Sequence, residues 1–223
     1  MRAIAGEHVR LKICCIASSE EARVAVEHGA AALGLVSAMP SGPGVIDEDT
    51  IRAIAASVPP DVATFLLTSL VSTAELLDQL ERVPTTHVQL VDAVEAGTHA
   101  AIRRAFPTRR IVQVVHVTGP ESINEARSAA AHVDFLLLDS GNPRLSVKEL
   151  GGTGREHDWA ISKSIVESCG RPVFLAGGIR PDNVRRAIAE VHPHGIDLCS
   201  GVRTEGRLDP VKLDALVSEM RAG

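Results

Sequence analysis

Short apolar, β-branched runs alternate with segments of helical period from one end of this chain to the other. The runs are Leu11–Ala17, Ala32–Ser37, Ala63–Thr68, His87–Asp92, Ile111–Val117, Val133–Ser140, Pro172–Ile179 and Gly195–Val202. Each is bounded by turn or capping residues and reads as a strand. Between them lie helical stretches at Ser19–His28, Glu48–Ser57, Thr73–Arg82, Thr98–Phe106, Ser122–His132, Trp159–Cys169, Asp182–Val191 and Val211–Arg221. Strands that alternate with helices form βα units on a parallel sheet. Eight such units predict an α/β fold closed as a (β/α)8 TIM barrel, one domain spanning residues 1–223. Ser18-Ser19-Glu20-Glu21, Ser72-Thr73-Ala74-Glu75 and Arg180-Pro181-Asp182-Asn183 place capping or dipole-compensating residues at helix starts. Two connections are long: Ala38–Asp47, rich in Pro and Gly, and Gly141–Asp158, which contains Gly151-Gly152-Thr153-Gly154. Long loops on a compact barrel serve its active face.

Composition narrows the picture. Aromatic residues make up 2% of the chain against 45% hydrophobic, so the core is packed from Ala, Val, Leu and Ile. That suits the interior layers of a barrel and leaves no stacking platform for single-stranded nucleic acid. With 23 basic and 28 acidic residues the net charge is −5, which offers no general attraction to nucleic acid or to an anionic membrane. The start of the chain lacks an apolar signal core, and no apolar stretch is long enough to span a bilayer, so a cytoplasmic location is expected. Cysteines at 14, 15, 169 and 199 show no CxxC spacing, and a bridge between adjacent Cys14 and Cys15 would be strained. Reduced thiols, without structural disulfides or a metal, fit better. A helical barrel exterior is compatible with a monomer or a homodimer.

Barrel chemistry sits at the carboxyl ends of the strands. Cys14 ends the first run and Asp139 the sixth, giving a candidate base and a candidate acid on two strands. Lys12 shares a strand face with Cys14, one layer deeper, where it would lower the thiol pKa or pair with a carboxylate such as Asp197. Gly177-Gly178 follows the seventh run and Ser200-Gly201 falls at the end of the eighth. These are the two places where a barrel offers backbone N–H groups to a phosphate. A small phosphorylated substrate is expected. His116, near the end of the fifth run, reads as a structural histidine.

Taken together, Lys12-Ile13-Cys14, Leu137-Leu138-Asp139, Gly151-Gly152-Thr153-Gly154 with Asp158-Trp159, Leu175-Ala176-Gly177-Gly178 with Asn183-Val184, and Ser200-Gly201-Val202 resemble the phosphoribosylanthranilate isomerase family. The motifs stand in the family's order and cover nearly the whole barrel. The resemblance implies an Amadori rearrangement in tryptophan biosynthesis, with no cofactor. Cys14 would remove the C2′ proton and Asp139 would protonate the furanose ring oxygen. Lys12, Gly152, Gly154, Gly177, Gly178, Ser200, Gly201 and Arg203 would bind substrate or its phosphate. The Gly151–Gly154 segment would fold over the substrate.

Three positions depart from the family pattern. Pro43 stands where an arginine is expected to meet the anthranilate carboxylate, Gln89-Leu90-Val91-Asp92 replaces Gln-Leu-His-Gly, and Arg203 replaces a glutamate. Arg203, Arg180, Arg144 and Arg155 are candidates for the missing carboxylate contact. The departures keep two other readings open: an isomerase or lyase for another phosphorylated sugar, and a non-catalytic phosphate-binding barrel.

Overall fold

The computed structural model describes residues 9–141 and 155–222. Its eight strands are β1 (Arg10–Ile13), β2 (Ala32–Val36), β3 (Ala63–Thr68), β4 (His87–Leu90), β5 (Arg110–His116), β6 (Phe135–Asp139), β7 (Val173–Leu175) and β8 (Gly195–Leu198). They close in sequence order into a barrel, with β8 returning parallel to β1 in the register Lys12↔Asp197 and Ile13↔Leu198. The helices are α1 (Ser19–Glu27), α2 (Glu48–Ser57), α3 (Thr73–Arg82), α4 (Thr98–Ala105), α5 (Ser122–Ala130), α6 (Trp159–Ser168), α7 (Val184–Val191) and α8 (Pro210–Arg221). A 3-10 turn at Ser200–Val202 and a two-stranded ribbon, β9 (Arg203–Thr204) with β10 (Arg207–Leu208), separate β8 from α8. No helix among the described residues is long and apolar enough to cross a membrane.

All strands but β3 are shorter at their carboxyl ends than their apolar runs predict. β1 stops at Ile13 rather than Ala17, β7 at Leu175 rather than Ile179, and β8 at Leu198 rather than Val202. At two of these ends the backbone enters the left-handed region, Cys15 with φ 61° and Gly177 and Gly178 with φ 78° and 67°. An extended strand cannot continue through such residues. The apolar character persists because the chain stays buried as it turns across the barrel mouth.

Alternation along each strand divides the apolar residues between two cores. Val112, Val114 and Leu137 join Phe65 and Phe174 inside the barrel, while Ile111, Val115, Leu136 and Leu138 pack with helix residues such as Ile102 and Ile165. Capping follows the expected chemistry unevenly. Ser18 accepts from the Glu21 N–H while Glu21 accepts from the Ala17 N–H, and Asp47, Asp158 and Asp209 cap α2, α6 and α8. Ser72 makes no cap bond; the Thr73 N–H instead donates to Glu95.

Three of the four phenylalanines gather inside the barrel, Phe65, Phe135 and Phe174, joined by His87 and His194. The His87 ring stacks on Phe65 with centroids 4.2 Å apart and planes 6° from parallel. Burial pushes the His87 imidazole down to about 4, and the nearby Arg110 charge adds to the depression. His87 is therefore neutral in the folded protein at pH values where the unfolded chain, titrating near 6.5, already binds a proton. Its contribution is intact above about pH 6.5 and is lost as pH falls toward about 4. Urea unfolding across this window is expected to show a steeper acid-side fall in the wild type than in His87→Phe; equal slopes would refute it.

Candidate active site

Lys12 and Cys14 lie two residues apart and share the barrel interior. Lys12 is fully buried, with Nζ 2.9 Å from Asp197 Oδ1 and 5.0 Å from the centroid of Phe65. The two groups form an ion pair enclosed in the barrel interior. Burial alone would depress the ammonium. The Asp197 carboxylate, followed by the Cys14 and Cys15 thiols, more than offsets this and holds Lys12 above its ordinary value. Burial raises Asp197, Lys12 opposes the rise, and Asp139 adds to it.

Strand β2 makes room for this arrangement at Gly34. A Cβ there would lie 2.8 Å from Cys14 Sγ and 3.2 Å from Lys12 Nζ. The side chains of β1 can therefore fill the space beside β2 only because this residue has none.

Asp139 ends β6, and its Oδ1 accepts from the Ser140 N–H at 2.7 Å. Asp139 and Cys14 are both buried, yet both line a cavity at the carboxyl ends of the strands. The thiol and the carboxyl thus enter one space from two different strands. Met39, Ser41, Gly42 and Pro43 bring the long β2–α2 connection to the same cavity. Gln89 lines it from β4, 3% exposed, with Oε1 lacking a hydrogen-bond partner. Asp139 and Asp197 are the charged side chains on its wall among the described residues.

Gly177, Gly178, Ser200 and Gly201 form another side of the cavity. Their loops pack backbone against backbone: a Cβ on Gly201 would stand 2.1 Å from the Ile179 carbonyl oxygen, and one on Gly178 2.6 Å from the Glu156 nitrogen. Positive φ at Gly177 and Gly178 gives a second reason for glycine. Asn183 pins this turn, accepting from the Arg180 N–H at 2.8 Å and donating to the Gly178 carbonyl at 2.9 Å.

Arg203 does not line the cavity, contrary to its expected place at the substrate. Its guanidinium is turned beneath the barrel mouth, donating to Glu21 at 2.9 and 3.1 Å, to the Cys14 and Cys15 carbonyls at 3.3 and 2.6 Å, and to the Gly206 carbonyl at 2.9 Å. The reason is local: Glu21 already sits at the start of α1, and the turn after β1 presents two carbonyls that need donors. Arg180 is likewise engaged, by Glu156, Asp182 and the Gly178 carbonyl. Arg144, Gly152 and Gly154 lie outside the described residues. His116 faces another cleft, donating from Nε2 to the Val91 carbonyl at 3.0 Å.

Two site residues escape a reading of strand ends alone. Cys15 and Cys199 also line the cavity, with their sulfurs 2.7 Å apart. Gln89, a polar residue inside an apolar run, carried a signal that could have marked it. Gly34 carried none, because its neighbours belong to another strand. Among the described residues no group of three or more His, Cys, Asp and Glu side chains is arranged to hold a metal ion.

The chemistry available is a thiol and a carboxyl facing a shared cavity, a buried ammonium close to the thiol, and glycine-rich backbone on the loops between them. Residues 11–219 match the family described as N-(5′-phosphoribosyl)anthranilate (PRA) isomerase. N-(5′-phosphoribosyl)anthranilate isomerase 2 of Methanosarcina mazei is 34% identical, covering 92% of this chain and 91% of that protein. The isomerase of Methanocella arvoryzae is 33% identical, covering 92% and 93%. Among solved structures, the phosphoribosyl anthranilate isomerase of Thermus thermophilus superposes with a TM-score of 0.80 at 29% identity, covering 96% of this chain and 99% of that one. A further isomerase, crystallised with reduced 1-(o-carboxyphenylamino)-1-deoxyribulose 5-phosphate, gives a TM-score of 0.77 at 26% identity over 96% of this chain and 100% of that one. With its barrel, its thiol and carboxyl on one cavity and a family match over almost its whole length, the chain belongs to the N-(5′-phosphoribosyl)anthranilate isomerase family.

Proposed function

We propose that this protein carries out the family's Amadori rearrangement, converting N-(5′-phosphoribosyl)anthranilate to its 1-amino-1-deoxyketose phosphate in tryptophan biosynthesis, with Cys14 as base and Asp139 as acid. The observation that carries the assignment of roles is their common cavity. Asp139 gives its proton to the furanose ring oxygen as the C1′–O bond breaks and the amine nitrogen becomes an iminium. Cys14, as thiolate, takes the C2′ proton, and the resulting enolamine tautomerises to the ketone. One proton enters at the ring oxygen and one leaves C2′, so no external oxidant or reductant is required. Backbone around Gly177-Gly178 and Ser200-Gly201 receives the phosphate, at the place where barrels of this kind bind one. Arg203 serves as a positioning residue, holding the Cys14 and Cys15 carbonyls. The reading places the protein in the cytoplasm, where the base would remain a reduced thiol.

A second reading is favoured by the wall opposite the phosphate loops. Pro43, Met39, Val36, Leu67 and Val91 present an apolar surface there, and an aglycone without a carboxylate would suit it. Comparing turnover of phosphoribosylanthranilate with that of the corresponding aniline conjugate separates the two. Preference for the conjugate that lacks the carboxylate supports the second reading; preference for anthranilate removes it.

Loss of phosphoribosylanthranilate fluorescence tests the catalytic assignment. Cys14→Ser and Asp139→Asn are each expected to lower kcat by at least about 100-fold, with the fold intact by circular dichroism. Turnover indifferent to both changes would sink the mechanism. Arg203→Met is expected to cost on the order of 3 kcal/mol in urea unfolding, because it leaves Glu21 without its buried partner. Arg203→Lys should not restore the loss, since an ammonium cannot span the same carboxylate and two carbonyls.

A further inference from the structure

We infer that Cys15 and Cys199 form a reversible disulfide site across the seam between β1 and β8, a redox clasp that leaves the Cys14 thiol free. Cys15 follows the end of β1 and Cys199 follows the end of β8. Their sulfurs lie 2.7 Å apart, against about 2.05 Å in a disulfide. The ladder between the two strands extends to this level, the Cys14 N–H donating to the Leu198 carbonyl at 2.7 Å. The strands that carry the two thiols are therefore already in register.

Backbone geometry selects Cys15 over its neighbour. Its φ of 61° takes it out of the alternation of β1, so it does not follow Cys14 along the strand. Two contacts hold that conformation. The Arg203 guanidinium donates to the Cys15 carbonyl at 2.6 Å, and Gly44 packs so closely that a Cβ there would lie 2.5 Å from Cys15 Cβ. A left-handed cysteine is strained and persists only where its surroundings impose it. A bridge from Cys14 to Cys15 would instead have to distort the peptide that joins them.

Reactivity divides between the two thiols. The hydrogen bond from Cys15, with the Arg203 charge, favours the thiolate at Cys199 despite its burial. Hydrogen bonds with Cys14 and Cys199, together with burial, hold Cys15 protonated. Cys199 is the half-buried member of the pair, and both line the open cavity, so a small oxidant has access. With oxidised glutathione, the Cys199 thiolate attacks one sulfur, expels a glutathione thiolate and forms a mixed disulfide. Cys15 then loses its proton and attacks the Cys199 sulfur, expelling the second glutathione. Two protein thiols become one disulfide, and one oxidised glutathione becomes two reduced molecules.

The bond would join the first strand to the last across a separation of 184 residues, fastening the barrel where the sheet closes. The test needs no turnover, so it stands or falls apart from the catalytic assignment. The full-length protein is equilibrated with oxidised glutathione, alkylated and digested with trypsin for mass spectrometry. The expected product links peptide Ile13–Arg23 to peptide Ala187–Arg203, persists in Cys14→Ser and is absent from Cys15→Ser. Thermal unfolding of the oxidised wild type should rise by about 5 °C or more, reversibly on adding dithiothreitol. Cys199→Ser, a second variant should Cys15→Ser fail to fold, should lose both the link and the rise. A link that requires Cys14, glutathione adducts confined to Cys169, or an unchanged unfolding midpoint with the link formed would overturn the inference.

Discussion

Closure of the sheet between β1 and β8 is the constraint from which the rest of this molecule follows. An open eight-stranded sheet would leave two edges of unpaired N–H and C=O groups, whereas the β1–β8 ladder removes both. The same ladder sets Lys12 against Asp197 in register, and that pairing makes a fully buried ammonium tolerable. It also delivers the turn after β1 to the turn after β8, where the Cys14 thiol, the Cys15 and Cys199 thiols and Arg203 meet.

Polar groups crowd this seam for a physical reason. Once each strand leaves the ladder, its carbonyls lose their sheet partners while remaining shielded from water, and buried acceptors without donors are costly. Arg203 answers the Cys14 and Cys15 carbonyls with one planar fork, and Glu21 balances its charge. Glu21 in turn accepts from the Ala17 and Leu208 N–H groups, so the start of α1 and the β9–β10 ribbon are tied to the same point. A residue that by type looked like a substrate contact is occupied in holding the backbone that carries Cys14.

Beside the seam, the loops after β7 and β8 depend on the absence of side chains. Gly201 against the Ile179 carbonyl and Gly178 against Glu156 bring backbone within distances that no Cβ could share. These contacts shape the glycine-rich wall of the cavity, while Phe65, Phe135 and Phe174 fill the interior away from it. The barrel thus concentrates its few aromatic rings where packing is needed and leaves its mouth free of them.

The order of strands and helices, the barrel they form and the strand ends bearing Cys14, Asp139 and the glycine pairs were all legible in the chain. Each depends on local periodicity or on a position near the end of an apolar run, and both are properties of neighbouring residues. Where the strands stop was not legible, because the apolar runs continue through residues that turn while still buried. Nor were the roles of Gly34, Cys15, Cys199 and Arg203, since each is set by a residue on another strand or by a turn far away in sequence. The sequence by itself determined the alternation that makes a barrel and the residue types at its strand ends. Only the tertiary structure decided which of those side chains face the cavity and which hold its walls, because closing a sheet brings together groups that no local pattern relates.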